Sequence, residues 1–293
     1  MVFLSNLVNG ISLGSIYAII ALGYTMVYGI AKMLNFAHGD IIMVGAYIAY
    51  CAAQYWGFPP ILSLVVAMAV CTILGITIEK LAYKPLRQAT SLAVLITAIG
   101  MRYLLQNLAL LIWGANPKVF PALIGVDTLT LFSGQLAIRG ATIVTIVANI
   151  IIMIVLTLFT SRTKLGKAMR CVSEDRGAAE LMGINVNTTI SLTFAIGSCL
   201  AAVAGLLLCS SYPMLMPTTG SMPGIKAFTA AVFGGIGSIP GAMIGGILLG
   251  VIEILGKAYI STELGDAIVF AVLIIVLLVR PTGLLGKPMR EKV

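Results

Sequence analysis

The residues able to do chemistry are few, and they sit in unusual places. The segment Asn35-Phe36-Ala37-His38-Gly39-Asp40 brings the only histidine, an acid and an amide to the start of a hydrophobic helix. Ionisable side chains there are costly and tend to face a cavity or a partner. Taken as helical, Asn35 and His38 share a face at i, i+3 spacing, whereas Asp40 points away from His38. Two readings stand side by side. One is a helix start, with Asn35 as the N-cap and Asp40 on the positive end of the dipole; the other is the lining of a solute path or its gate. Both can hold together. Arg102 falls near the middle of the apolar run 91–113, with Gln106 one turn on and Asn107 beside it. A guanidinium at that depth needs an acid, backbone carbonyls of a neighbouring helix or subunit, or a bound carboxylate, and a contact between helices or subunits is the preferred reading. Glu253, near the end of its apolar run, reads as interfacial.

No catalytic motif accompanies these groups. There is no phosphate-cradling loop, no His-Glu-x-x-His and no nucleophile with a placed base, and one histidine cannot support a metal cluster. The chain is therefore expected not to be an enzyme, to hold no metal or other cofactor, and not to hydrolyse a nucleotide itself. Cys51, Cys71, Cys199 and Cys209 fall in apolar stretches and Cys171 in a basic loop, so they read as small packing residues rather than a disulfide or metal framework.

The elements that must position these side chains follow from composition. Of 293 residues 60% are hydrophobic, and only 18 basic and 10 acidic side chains are charged. With a mean hydropathy of +1.08, the solvent is a bilayer, and at about 20 residues per span the apolar content suffices for about eight or nine helices. The net charge of +8 reflects basic cytoplasmic loops rather than nucleic-acid binding. The expected fold is an all-α polytopic membrane protein, one transmembrane domain over 1–293. Apolar runs lie near 5–28, 37–55, 60–82, 91–113, 141–160, 187–210 and 264–280, with a longer broken run over 226–256. The first has no basic leader and no small-residue cleavage site, and is expected to be retained.

Basic residues cluster at Lys80, Lys84 and Arg87, at Arg162, Lys164, Lys167, Arg170 and Arg176, and at Lys287, Arg290 and Lys292; the positive-inside rule makes all three groups cytoplasmic. Loop 114–140 is then outside. Parity requires the broken run to cross twice, with its turn at Gly237-Ser238-Ile239-Pro240-Gly241, so 226–238 reads as a short helix and 240–256 as a full one. The result is nine crossings, one of them short, with the N-terminus outside and the C-terminus inside. Thr72–Lys84 laid beside Ile247–Lys257 gives a weak repeat, each an apolar helix ending in Gly, Glu, then Lys after a Gly and Pro break. In this topology the copies run in opposite senses, the inverted-repeat plan of many transporters. Gly241, Gly245, Gly246 and Gly250 stand at small-xxx-small spacing and read as close helix packing.

Within the inside loop 161–186, residues 170–185 read as one short amphipathic helix. Glu174, Asp175 and Arg176 start it, Ala178, Leu181 and Met182 share a face, and Gly183 stops it. Such a helix is a docking knob for a soluble partner or lies on the lipid headgroups.

The run from Asn9 to Ile30, Leu34-Asn-Phe-Ala-His-Gly-Asp40, Ala178-Ala-Glu-Leu-Met-Gly-Ile184 and Phe233-Gly-Gly-Ile-Gly-Ser-Ile-Pro-Gly-Ala242 together resemble the permease subunits of bacterial high-affinity branched-chain amino acid ABC importers, the first of the two permeases above all. The resemblance covers nearly the whole chain in order. It implies an inner-membrane importer of leucine, isoleucine and valine, with a second related permease, two cytoplasmic ATPases that bind ATP and Mg, and a periplasmic binding protein. It makes 174–184 a coupling element, with Glu174, Asp175, Ala178, Ala179, Glu180, Leu181, Met182 and Gly183 meeting the ATPase; Gly177 stands where a glutamate is expected. It also implies that Asn35, Phe36, His38, Asp40, Phe233 and Pro240 line the pathway or its gate. Arg102 departs from the small or polar residue usual there. Urea and ribose permeases share the architecture. The rival class, an ion-coupled transporter, needs a membrane-embedded acid, for which Asp40 and Glu253 are the candidates.

Overall fold

The computed structural model describes residues 2–131 and 136–286; the basic cluster at Lys287, Arg290 and Lys292 lies outside them. Eleven helices carry the described chain: α1 Val2–Ala31, α2 His38–Gln54, α3 Pro60–Ile78 with a π turn and a 3₁₀ turn that extend it to Leu86, α4 Ser91–Trp113, α5 Gly140–Arg162, α6 Lys164–Glu174, α7 Arg176–Leu181, α8 Val186–Ser211, α9 Ser221–Gly234, α10 Ile239–Tyr259 and α11 Gly265–Val279. Six of them (α1, extended α3, α4, α5, α8 and α10) are long and apolar enough to cross a membrane. The other apolar helices, α2, α9 and α11, have 17, 14 and 15 residues, short of the roughly 20 that a full span takes. Among the described residues, strands are confined to two small antiparallel pairs, β1 Lys118–Val119 with β4 Met214–Leu215 and β2 Leu129–Leu131 with β3 Leu136–Ile138.

A helix that is apolar on every side belongs in the interior, and α1 is buried along most of its length. Its partner is α10, which runs antiparallel to it: Gly10 faces Val251, Gly14 faces Ile247 and Ala18 faces Gly246. In lipid, association rests on close van der Waals packing rather than on expulsion of water. A Cβ on Gly250 would strike the Gly14 backbone, and one on Gly246 the Ala18 backbone. On the other side of α1, α8 lies antiparallel to α3, with Ser198 against Gly75 and Ser191 against Glu79. The two short helices fill corresponding places, α2 between α3 and α8 and α9 between α1 and α10. Helices α3, α4, α5 and α11 show large apolar side chains outward.

One end of the bundle gathers the end of α1, the Glu79–Arg87 turns, the α6–α7 loop, the start of α8 and the α9–α10 break. Arg176 donates to the Ala31 carbonyl, Arg87 bonds Glu79 and Asn187, and Leu285 N–H donates to the Gly234 carbonyl. Most described basic residues stand at this basic end; the opposite end carries Lys118, Arg139 and Lys257.

Three local expectations change. Residues 170–185 form not one helix but parts of two, because Asp175 adopts extended backbone (φ −155°, ψ 115°) and caps α7 by accepting from Ala178 N–H at 3.0 Å. Glu174 is thus the last residue of α6, while Gly183 does end the unit at φ +79°. Helix α9 begins at Ser221 rather than 226, since Pro223 falls in a first turn that has no use for its missing N–H. Its break from α10 is where the sequence puts it: Gly235 and Gly237 take φ of +102° and +93°, and Ser238 caps α10. Asn35 is no N-cap. Helix α2 starts after Ala37 without a side-chain cap, so Asn35 and His38 share no helix face, and Asn35 Oδ1 accepts instead from Tyr83 Oη at 2.9 Å.

Candidate functional site

Helix α1 ends at Ala31, Lys32 takes a left-handed conformation (φ 52°), and the chain doubles back into the bundle before α2 begins. His38 lands beside Gly23, where any side chain would collide with the imidazole. Its ring meets Tyr24 edge-on at 4.6 Å, Tyr24 meets Phe228 at 5.7 Å, and Phe228 meets Phe36 at 5.4 Å. Gly39 abuts the Gly220 carbonyl and Gly224 Cα, so the first turns of α2 and α9 touch. From there the helices diverge. Helix α9 runs to the basic end, and α2 runs to the opposite end, where Tyr50 faces Lys118. Two short helices beginning at one internal point form a discontinuous pair, whose irregular backbone is tolerated in a membrane only where protein or a water-lined cavity surrounds it.

The polar groups at this junction are tied across three helices. Asp40 is 1% exposed; its Oδ1 accepts from Gln106 Nε2 at 2.8 Å, and the same amide donates to Ser221 Oγ at 2.9 Å. Arg102 Nε stands 3.8 Å from Asp40 Oδ2. The expected contact of Arg102 is therefore with α2 of its own chain. At 26% exposure the Arg102 side chain also reaches the lateral surface of the bundle.

Phe233 and Pro240 do not join this junction. They flank the α9–α10 break at the basic end, Phe233 buried with its carbonyl accepting from Leu284 N–H, and Pro240 exposed in the first turn of α10. Between the two groups runs a crevice of about 10 Å³ lined by Tyr24, Asn35, Phe228 and Ile236. That is room for about one water. The junction is closed toward the basic end.

In the α6–α7 loop, Ala179 packs inward while Leu181 and Met182 are 90% and 81% exposed, with Glu174, Ala178 and Glu180 exposed as well. The hydrogen bond from Arg176 to the last carbonyl of α1 ties this knob to the core. Burial, with the like charge of Arg87 nearby, lowers the Arg176 pKa from its ordinary value.

Sequence reasoning missed a buried ionic cluster. Glu253, read as interfacial, is 1% exposed and accepts from Tyr17 Oη at 2.9 Å, Lys226 Nζ at 2.7 Å and Lys257 Nζ at 2.5 Å. Lys226 also pairs with Asp266 at 2.6 Å. The available signal was Lys226 itself, a cation inside an apolar helix with no opposite charge near it in sequence.

Residues 6–277 match the family model described as the permease component of the branched-chain amino acid transport system. The chain is 46% identical to the high-affinity branched-chain amino acid transport system permease protein LivH of Salmonella typhimurium, over 99% of this chain and 98% of that one. It is likewise 46% identical to the permease protein BraD of Pseudomonas aeruginosa, with the same two coverages. Among solved structures, PsaBC from Streptococcus pneumoniae in complex with Fab is similar with a TM-score of 0.51 at 14% identity, over 94% of this chain and 91% of that one, a likeness of fold alone.

Proposed function

The chain belongs to the family of permease components of branched-chain amino acid transport systems, and from that premise we propose that it carries leucine, isoleucine or valine across the bacterial inner membrane, driven by ATP bound with Mg and hydrolysed on partner subunits. It works beside a second related permease, two cytoplasmic ATPases and a periplasmic amino-acid-binding protein. The basic end faces the cytoplasm, as the positive-inside rule requires, which leaves the N-terminus periplasmic.

The observation that carries this reading is the α6–α7 knob, an exposed apolar tip at the basic end fastened to the helix that holds the central junction. Leu181 and Met182 offer the ATPase an apolar anchor beside the charges of Glu174, Asp175 and Glu180. A push on α7 acts through Arg176 on the end of α1, and α1 holds His38 against Gly23 and the start of α2 against α9. Aromatic side chains and the α9–α10 break near Phe233 and Pro240 then open or shut the route inward. An ion-coupled mechanism is disfavoured by the state of the buried acids: Asp40 lies against Arg102 and Gln106, Glu253 is held by two lysines, and Glu79 is paired with Arg87.

Uptake of labelled leucine into proteoliposomes tests the reading, with the second permease, the ATPases and the binding protein each omitted in turn. Uptake is expected to vanish without the ATPases or internal ATP. Uptake by this chain alone under an ion gradient would sink the proposal.

A further inference from the structure

Bordering the junction at Thr219 and Pro223, on its side away from the basic end, helices α1, α8, α9 and α10 enclose an open cavity of about 260 Å³. Leu13, Leu208, Met214 and Pro223 supply apolar wall, and Tyr17, Glu253 and Lys257 make one end of it polar. The volume lies below the roughly 300–1,000 Å³ of pockets for drug-sized ligands, so it suits a molecule the size of one amino acid.

The polar end is a built site. Glu253 and Lys226 are 2% and 6% exposed at the side chain, and the Glu253 carboxylate is shared by Lys226 and Lys257. Lys226 has a second acid in Asp266, whereas Lys257, one-third exposed, has Glu253 as its one ion-pair partner among the described residues. Two acids and two lysines cancel. A zwitterion is the ligand class such a set accepts without leaving a buried charge unpaired: its ammonium replaces Lys257 on Glu253, and the released Lys257 takes its carboxylate. An amine alone leaves Lys257 without its acid, and an acid alone takes from Glu253 one of its two lysines. A zwitterion avoids both losses, because it supplies a cation to Glu253 and an anion to Lys257.

We propose that this cavity is a binding site for a free α-amino acid, its ammonium on Glu253, its carboxylate on Lys257 and its aliphatic side chain against Leu13, Leu208, Met214 and Pro223. The choice of an aliphatic side chain and of arrival from this face rests on the function proposed above.

The test uses the full importer in nanodiscs with Met214→Cys in this chain. Labelling of position 214 by a thiol reagent, read by mass spectrometry, is followed with leucine, leucinamide or N-acetylleucine present and the binding protein absent. Leucine is expected to slow labelling, and the two blocked analogues, each lacking one charge, are not. Glu253→Gln and, at the more exposed position, Lys257→Gln raise the leucine concentration needed by about thirtyfold or more. Labelling indifferent to leucine, or slowed alike by all three compounds, overturns the site. ATP-driven leucine uptake by the same importer, reconstituted into proteoliposomes with the binding protein added, is scored separately. Uptake without protection overturns the site and spares the transport reading, while protection without uptake supports the site and overturns that reading.

Discussion

At the scale of single residues, two buried contacts give sharp expectations. Asn35 Oδ1 accepts from Tyr83 Oη and joins the loop before α2 to the turn after α3. Asn35→Ala leaves a buried hydroxyl unsatisfied and is expected to cost about 1–3 kcal/mol, against about 1 for Tyr83→Phe. Were Asn35 a helix cap instead, Tyr83→Phe would leave stability unchanged, so denaturant unfolding of the purified chain in micelles separates the two roles. Asp40 and Arg102 are the second case. A double-mutant cycle of Asp40→Asn and Arg102→Gln is expected to show a coupling of about 1–2 kcal/mol, because the residues share one largely buried ion pair. Additive effects would mean that the 3.8 Å approach contributes nothing. Which acid meets which base was not legible in the sequence: Asp40 and Arg102 are brought together by the packing of α2 on α4, and Glu253 and Lys226 by that of α10 on α9, relations that periodicity does not encode. The cost of each charge was legible, and it marked Asp40 and Arg102 as needing partners.

At the scale of elements, glycine placement separates contact from mere flexibility. Gly246→Ala puts a methyl into the Ala18 backbone and is expected to abolish the folded monodisperse fraction on size exclusion. Gly100→Ala, in α4 with nothing within 4 Å, is expected to be neutral or to stabilise by up to about 1 kcal/mol, since glycine weakens a helix interior. The spacing of Gly241, Gly245, Gly246 and Gly250 was readable as packing before any partner was known, and α1 and α9 are those partners. The α9–α10 break was readable too, because Gly235, Gly237 and Pro240 announce it locally. Helix starts were less so. Residues 170–185 gave one amphipathic pattern, and only the extended backbone at Asp175 divides it. Asp175→Ala removes the α7 cap and is expected to cost about 1 kcal/mol, seen as faster amide exchange across Arg176–Leu181.

At the scale of the whole molecule, a tip at one end and a cavity at the other are joined through α1, which meets α6, α9 and α10 along its length. Leu181→Glu is expected to leave the chain folded, since the side chain touches little of its own bundle, yet to abolish co-purification of the ATPases and ATP-driven uptake together. Retention of both would remove α7 from the coupling role. The buried cluster carries a different consequence, for synthesis. Lys226 is neutralised by Glu253, 27 positions later, and by Asp266 further on. A lysine within a helix of 14 residues is a poor client for insertion by itself, because a charge at the centre of a span costs about 2.5–3.5 kcal/mol at the translocon. The nascent chain is therefore expected to settle α9 only once α10, with Glu253, has left the ribosome. A chain truncated at Gly250 is expected to leave Lys226 open to a water-borne amine reagent that the finished protein excludes.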